Sequence, residues 1–264
     1  MNYKSLCDEA IDISHKTADL LKAFKHRVTI HKMKGQKDFS TNADIAAENY
    51  ICELIKKSHP THNILSEEMG FLDKRGDYTW ILDPLDGTQN FAAGTNDYAL
   101  LIAIEHKHRL VVGITNFIGL RQTFWSYLGG GSYLDGRKIT VSGTKLLRDS
   151  KIVLFSYKPK HGEREMVKHV KRHQRLIQTT HKTLVDDFDA KYLAYIALGY
   201  FEGHIRVGIG GGWWDVAPGI LLVEEAGGKA TDIDGKLLKN RNLSNGLIAS
   251  NGFVHNDIIK LIQG

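Results

Sequence analysis

Residues 80–91, Trp80-Ile81-Leu82-Asp83-Pro84-Leu85-Asp86-Gly87-Thr88-Gln89-Asn90-Phe91, constrain the fold of this chain more than any other stretch. Trp80, Ile81 and Leu82 read as the end of a buried strand, being apolar, bulky and short. Asp83 then marks where the strand leaves the core, and Asp86 follows three residues later. Pro84 fixes its own φ and removes a donor, which predicts a stiff turn between the two carboxylates. Asp83, the Leu85 carbonyl and Asp86 would then offer hard oxygen ligands on one side, a set that suits Mg²⁺. Gly87 lets backbone approach a ligand closely, and Gly87-Thr88-Gln89 can open a helix whose free N–H groups face an anion. Metal and phosphate would meet at one corner. Taken alone, an Asp-Pro-x-Asp match is more often an ordinary turn, so the rest of the chain has to decide.

With 264 residues, 42% hydrophobic and 25% charged, the chain has the composition of a globular protein with a substantial core. No apolar run approaches the ~20 residues of a membrane span. The first residues carry Asp8 and Glu9 where a signal peptide would be apolar. Cys7 and Cys52 stand far apart, with neither metal spacing nor a disulfide framework, and a reducing cytoplasm is the expectation. A net charge of +5 does not distinguish an anionic ligand from a solvated basic face.

Leu6, Ala10, Ile13, Thr17, Leu20, Leu21 and Phe24 recur at helical steps. Residues 31–39 are polar and lysine-rich and read as a mobile loop. Ser40-Thr41-Asn42 supplies caps for a second helix with Ile45, Ile51, Leu54 and Ile55 inward, and Asp44 in its first turn complements the dipole. Residues 63–65 form a short strand ending at Ser66-Glu67-Glu68. Runs at 98–105 and 109–115, joined by His106-Lys107-His108, read as a hairpin, and 124–127 and 137–139 extend it as a meander. Residues 152–155 add a strand. Residues 161–178 read as a basic amphipathic helix with Met166, Val167, Val170 and Ile177 inward. Its His169, Lys171, Arg172, His173 and Arg175 lack the aromatic platforms on which bases stack, so nucleic acid is not the expected partner. A helix through Leu193 and Ile196, a strand at 203–207, an apolar helix after Asp215 with Pro218 in its first turn, strands at 229–231 and 247–250 and a last helix complete the order.

Asp83-Pro84-Leu85-Asp86-Gly87-Thr88-x-Asn90-Phe91 resembles the first signature of the inositol monophosphatase family, Mg²⁺-dependent and lithium-sensitive phosphatases. Trp214-Asp215-Val216-Ala217 followed by Glu225-Ala226-Gly227-Gly228 resembles the second, and Ser66-Glu67-Glu68 resembles its Gly-Glu-Glu element. The pieces keep the family's order and cover nearly the whole chain. The resemblance implies a layered α/β sandwich, alternating α/β/α/β/α, of the inositol monophosphatase and fructose-1,6-bisphosphatase type, built as a single domain over 1–264. It implies two Mg²⁺ ions, with a third more weakly bound, held by Glu67, Asp83, the Leu85 carbonyl, Asp86 and Asp215, with Glu68 in support of Glu67. Asp44 and Thr88 would pair to orient the attacking water, and Gly87, Thr88 and Gln89 would hold phosphate. Homodimers are common in the family.

The chain departs from the family pattern at Asp186-Asp187-Phe188-Asp189-Ala190, where a small Gly-Ser-Ala element usually lines the substrate pocket. Arg206 stands near the place of an acid that holds sugar hydroxyls, and Asp187 and Arg206 are therefore candidate substrate contacts. An Arg there can pair a second phosphate or a carboxylate. Asn90-Phe91 favours the inositol-phosphatase branch, so inositol monophosphate or a related sugar phosphate is the expected substrate. Fructose 1,6-bisphosphate, 3′-phosphoadenosine 5′-phosphate and histidinol phosphate are the alternatives. The rival from another class is a non-enzymatic relative that binds RNA or protein through its basic surface.

Overall fold

The computed structural model describes residues 2–25, 27–34, 39–155, 162–207, 211–238 and 241–263. Part of the expected loop (35–38), the expected helix start at His161 and the glycine-rich 208–210 lie outside them.

Continuous apolar runs in β6 (Ala99–His106) and β7 (Arg109–Phe117) predict strands buried on both faces, and the structure places them at the centre of an eight-stranded sheet. Its order is β10-β9-β8-β7-β6-β5-β3-β4, with β3 (Asn63–Ser66), β4 (Gly70–Leu72), β5 (Tyr78–Asp86), β8 (Gln122–Tyr127), β9 (Gly131–Leu134) and β10 (Arg137–Ile139). Along β6, Leu100, Ile102 and Ile104 enter one core and Ala99, Leu101 and Ala103 the other, as period-two alternation requires. The first core is closed by α1 (Tyr3–Phe24) and α2 (Asn42–Ser58). The second is closed by α5 (Asp189–Ala197) and α6 (Trp213–Glu225).

The other face of α5 and α6 meets a five-stranded sheet of order β12-β11-β13-β15-β14. It comprises β11 (Lys151–Phe155), β12 (Lys182–Asp186), β13 (Gly203–Arg206), β14 (Lys229–Thr231) and β15 (Leu247–Ser250). Ile152, Leu154, Ile205 and Ile248 form a third core with α4 (Gly162–Thr179) and α7 (His255–Gln263). The layers therefore run α/β/α/β/α, the architecture implied by the resemblance. Among the described residues no helix is long and apolar enough to cross a membrane.

Three expectations change. Residues 31–33 of the expected loop belong instead to β1 (Ile30–Met33), paired antiparallel with β2 (Phe39–Thr41); every residue of β1 is exposed, so no apolar pattern marked it. Pro218 is the sixth residue of α6, beyond the first turn, because the helix begins at Trp213. There α6 crosses β7 at Gly113, where a Cβ would stand 2.6 Å from the Pro218 carbonyl oxygen. Finally, Met166, Val167, Val170 and Ile177 face outward on α4, each at least 44% exposed, while Leu176 and His169 face inward. Arg172 Nε and Arg175 Nη1 donate to the Ile262 and Leu261 carbonyls, 3.2 and 3.4 Å away. Unpaired carbonyls at the end of α7 attract the basic residues and so turn the helix round.

Candidate active site

The expected turn between Asp83 and Asp86 is a bulged strand instead. β5 runs through to Asp86, with Asp83 opposite Leu101 and Asp86 opposite Ala99. One residue separates Leu101 from Ala99, and two separate Asp83 from Asp86, so β5 carries one extra residue. Carboxylates three apart on a regular strand would point to opposite faces. The extra residue puts both on the α6 side, and Leu85 drops into the opposite core at 1% exposure. Pro84 suits a bulge because no ladder donor is needed there. Gly87 follows at φ 85°, and a Cβ there would lie 2.9 Å from the Asp97 carbonyl oxygen. A side chain at this position would meet both strain and backbone.

Glu67 follows β3, the parallel neighbour of β5, and Asp215 comes from the first turn of α6. With Asp83, Leu85, Asp86, Gly87, Thr88 and Gln89 they line a cavity of about 330 Å³, whose remaining wall includes Phe155, Asp187, Asp189, Arg206 and Trp214. Burial and the neighbouring Glu67, Asp86 and Asp215 hold the Asp83 carboxyl well above the usual carboxylate range. Burial does the same to Asp86, reinforced by Asp215 and Asp189. Asp215 is pushed up to about 7 by burial and by Asp189, against the opposite pull of Arg206. Glu67 is raised by burial, although Lys34 Nζ donates to it at 2.7 Å and also holds Glu68. Among the described residues no three acids are already gathered as ligands around one point; Lys34 holds Glu67, and the Gly212 N–H holds Asp215 at 2.8 Å.

These residues fit a divalent cation. Among the described residues Asp86 Oδ2 is buried without a hydrogen-bond partner, which is costly unless a ligand supplies positive charge. The donors are all oxygens, as Mg²⁺ prefers.

Asp44 reaches the same corner from the start of α2. Its Oδ2 accepts the Thr41 N–H at 2.8 Å and the Thr41 hydroxyl, and its Oδ1 stands 2.9 Å from Thr88 Oγ. Thr88 Oγ is also 3.0 Å from the Leu85 carbonyl, and its single proton can serve one acceptor at a time. Burial raises the Asp44 carboxyl against the opposing hydrogen bonds.

Three site residues escaped the sequence reading. Glu48, buried on α2, accepts the Ser66 hydroxyl and the Glu68 and Met69 N–H groups at 3.2 and 3.1 Å. It fixes the turn that carries Glu67, and shows what Ser66 gains where the family has Gly. Asp189 and His204 are the others: Asp189 Oδ1 lies 2.6 Å from His204 Nε2, and Asp189 Oδ2 accepts from Arg206 Nη1. Arg206 is 2% exposed, its guanidinium 4.8 Å over the Phe155 ring and 4.0 Å from Asp215. Asp187 is exposed at the cavity rim.

Comparison with known proteins decides the family. The model of the inositol monophosphatase family matches residues 5–264. The chain belongs to that family. Family membership makes it a phosphatase, a phosphoric monoester hydrolase. It is 30% identical over 257 residues to the fructose-1,6-bisphosphatase/inositol-1-monophosphatase of Thermotoga maritima, covering 97% of this chain and 95% of the relative. It is 34% identical over 206 residues to Nus factor SuhB of Pseudomonas aeruginosa, covering 76% and 75%. The solved inositol monophosphatase of T. maritima superposes with a TM-score of 0.85 at 30% identity, covering 97% of this chain and 96% of that one. The inositol monophosphatase fold thus extends over nearly all of this chain.

Proposed function

We propose that the chain is an Mg²⁺-dependent phosphomonoesterase that hydrolyses a small phosphorylated metabolite, inositol monophosphate or a related sugar phosphate, by attack of water. The bulge in β5 carries this reading: it aims Asp83 and Asp86 at the cavity that Glu67 and Asp215 also line. Glu67, Asp83, the Leu85 carbonyl, Asp86 and Asp215 would hold two Mg²⁺ ions, with a weaker third, and Glu68 would support Glu67. The bound cations supply charge neutralisation and an acidified water.

The chain's own groups do the rest. Thr88 Oγ and Asp44 Oδ1 orient the attacking water, and Asp44, its affinity for protons raised by burial, accepts one from it. Backbone N–H groups at Gly87, Thr88 and Gln89 hold the phosphoryl oxygens in line. Asp187 and Arg206, which line the same cavity, would contact the leaving group. The same reading takes 1–264 as one domain, working in the cytoplasm as a homodimer and inhibited by Li⁺.

Phosphate release tests it, measured with Mg²⁺, with and without Li⁺. The substrates are inositol 1-phosphate, fructose 1,6-bisphosphate, 3′-phosphoadenosine 5′-phosphate and histidinol phosphate. Turnover suppressed by Li⁺ with inositol 1-phosphate or another sugar phosphate preferred supports the proposal; preference for a bisphosphate selects the alternative. No release from any of them at saturating Mg²⁺ contradicts both.

The name of the Pseudomonas relative favours a second reading, a macromolecular binding role. RNA retention falling with salt more steeply than a +5 protein explains would support it.

A further inference from the structure

Arg206 enters the cavity as the expected anchor for a second anionic group, but the structure commits it elsewhere. Asp189, 4% exposed at the first position of α5, accepts from Arg206 Nη1 with one oxygen and contacts His204 with the other. His204 and Arg206 are 0% and 2% exposed, so the pairing of Asp189 with Arg206 is closed off from water. The Phe155 ring covers one face of the guanidinium. Gly211 closes over Nη2: a Cβ on Gly211 would be 2.3 Å from Arg206 Nη2, which has no hydrogen-bond partner among the described residues.

The charge balance of the cavity follows. Among the described residues that line it, Arg206 is the one cation, facing Glu67, Asp83, Asp86, Asp187, Asp189 and Asp215. The proposed metal ions answer the inner acids. On the leaving-group side Asp189 cancels Arg206, and Asp187 leaves that side negative.

We propose that Asp189 is a specificity-determining residue: by neutralising Arg206 it tunes the cavity to phosphate monoesters of uncharged, hydroxyl-bearing leaving groups and against leaving groups that carry a second phosphate. This rests on the phosphomonoesterase reading above. Asp189 acts through Arg206, so it is a positioning residue. Freed of Asp189, the guanidinium would offer its full charge and planar donor set to an anion.

The test compares kcat/KM for fructose 1-phosphate and fructose 1,6-bisphosphate, identified by their products fructose and fructose 6-phosphate. The wild-type enzyme is expected to favour the monophosphate about tenfold or more, since a second phosphate would meet the unpaired charge of Asp187. Asp189→Asn is nearly isosteric and should shift the ratio about tenfold toward the bisphosphate. The double variant Asp189→Asn with Arg206→Gln should return it to the wild-type value, which a purely structural role for Asp189 would not do.

Equal or greater wild-type activity on the bisphosphate overturns the proposal, as does an unchanged ratio in folded Asp189→Asn. Should Asp189→Asn fail to fold, Arg206→Gln alone decides. It leaves Asp189 unneutralised and should widen the preference for the monophosphate; an unchanged ratio counts against the proposal. Absence of turnover on both esters by wild-type enzyme with Mg²⁺ is a different result, because it removes the phosphatase reading itself.

Discussion

Two buried acidic sites flank the first turn of α6, and they are built in opposite ways. On one side Glu105 of β6, 3% exposed, accepts from Trp213 Nε1 at 3.0 Å and from Arg241 Nε and Nη2 at 3.0 and 2.7 Å. Its charge is answered and its lone pairs are occupied. On the other side, two residues further along the helix, Asp215 joins Asp83 and Asp86, where Asp83 accepts the Leu85 N–H at 3.0 Å. Asp86 keeps a buried oxygen with no donor among the described residues. Burial alone does not mark a functional acid. On the proposed reading the acids left unanswered are those that would take a ligand, and Glu105 is the anchor that sets the turn carrying Asp215.

The largest expected contrast is in Asp83→Asn. Turnover should fall by about a thousandfold or more, while the metal-free protein should melt at a higher temperature, since the substitution removes one of several mutually repelling carboxylates. Phosphate release and thermal unfolding in a chelator read the two effects. A variant that is both inactive and less stable would place Asp83 with Glu105 as a structural acid.

Glu105→Gln should behave the other way. Breaking its pair with Arg241 should cost about 2–4 kcal/mol in urea unfolding, with turnover falling less than about tenfold. If activity drops as far as in Asp83→Asn, the distinction between the two sides of α6 dissolves.

The smallest effect is in the pH dependence of stability. Burial holds the His62 and His255 imidazoles down to about 4 from an ordinary 6.5. Below pH 6.5 the unfolded chain therefore takes up protons that the folded protein refuses. Stability is complete above pH 6.5 and is lost as the pH falls toward 4. The urea midpoint should drop between pH 7 and pH 5, and His62→Gln should flatten part of that slope. An unchanged slope would show that acid sensitivity comes from the carboxylates alone.

Much of this was legible in the sequence because periodicity reports burial. The helices at 3–24 and 42–58 and the meander followed from apolar spacing and from turn residues such as Lys107, His108, Asp135 and Gly136, all at positive φ, whereas the acidic elements carrying Glu67 and Asp215 were marked by the family resemblance. The bulge was not legible, since an Asp-Pro pair signals a turn as readily as a strand with one residue to spare. The direction of α4 was hidden because Arg172 and Arg175 look like a solvent face until the end of α7 appears beside them. Asp189, His204 and Arg206 lie too far apart in sequence to be seen as one ionic group, although Asp189 and Arg206 each stood out as departures. The strand at 182–186 passed unread, because an edge strand with mixed exposure carries little pattern.

Calorimetric titration of Mg²⁺ into the wild-type protein and into Asp86→Asn tests the central claim most directly, because it reads the acid corner without any substrate. The account predicts saturable binding to the wild-type protein, weakened at least about tenfold in Asp86→Asn. Equal binding by the two proteins, or no binding by the wild-type protein, would contradict the assignment of this corner as the metal site.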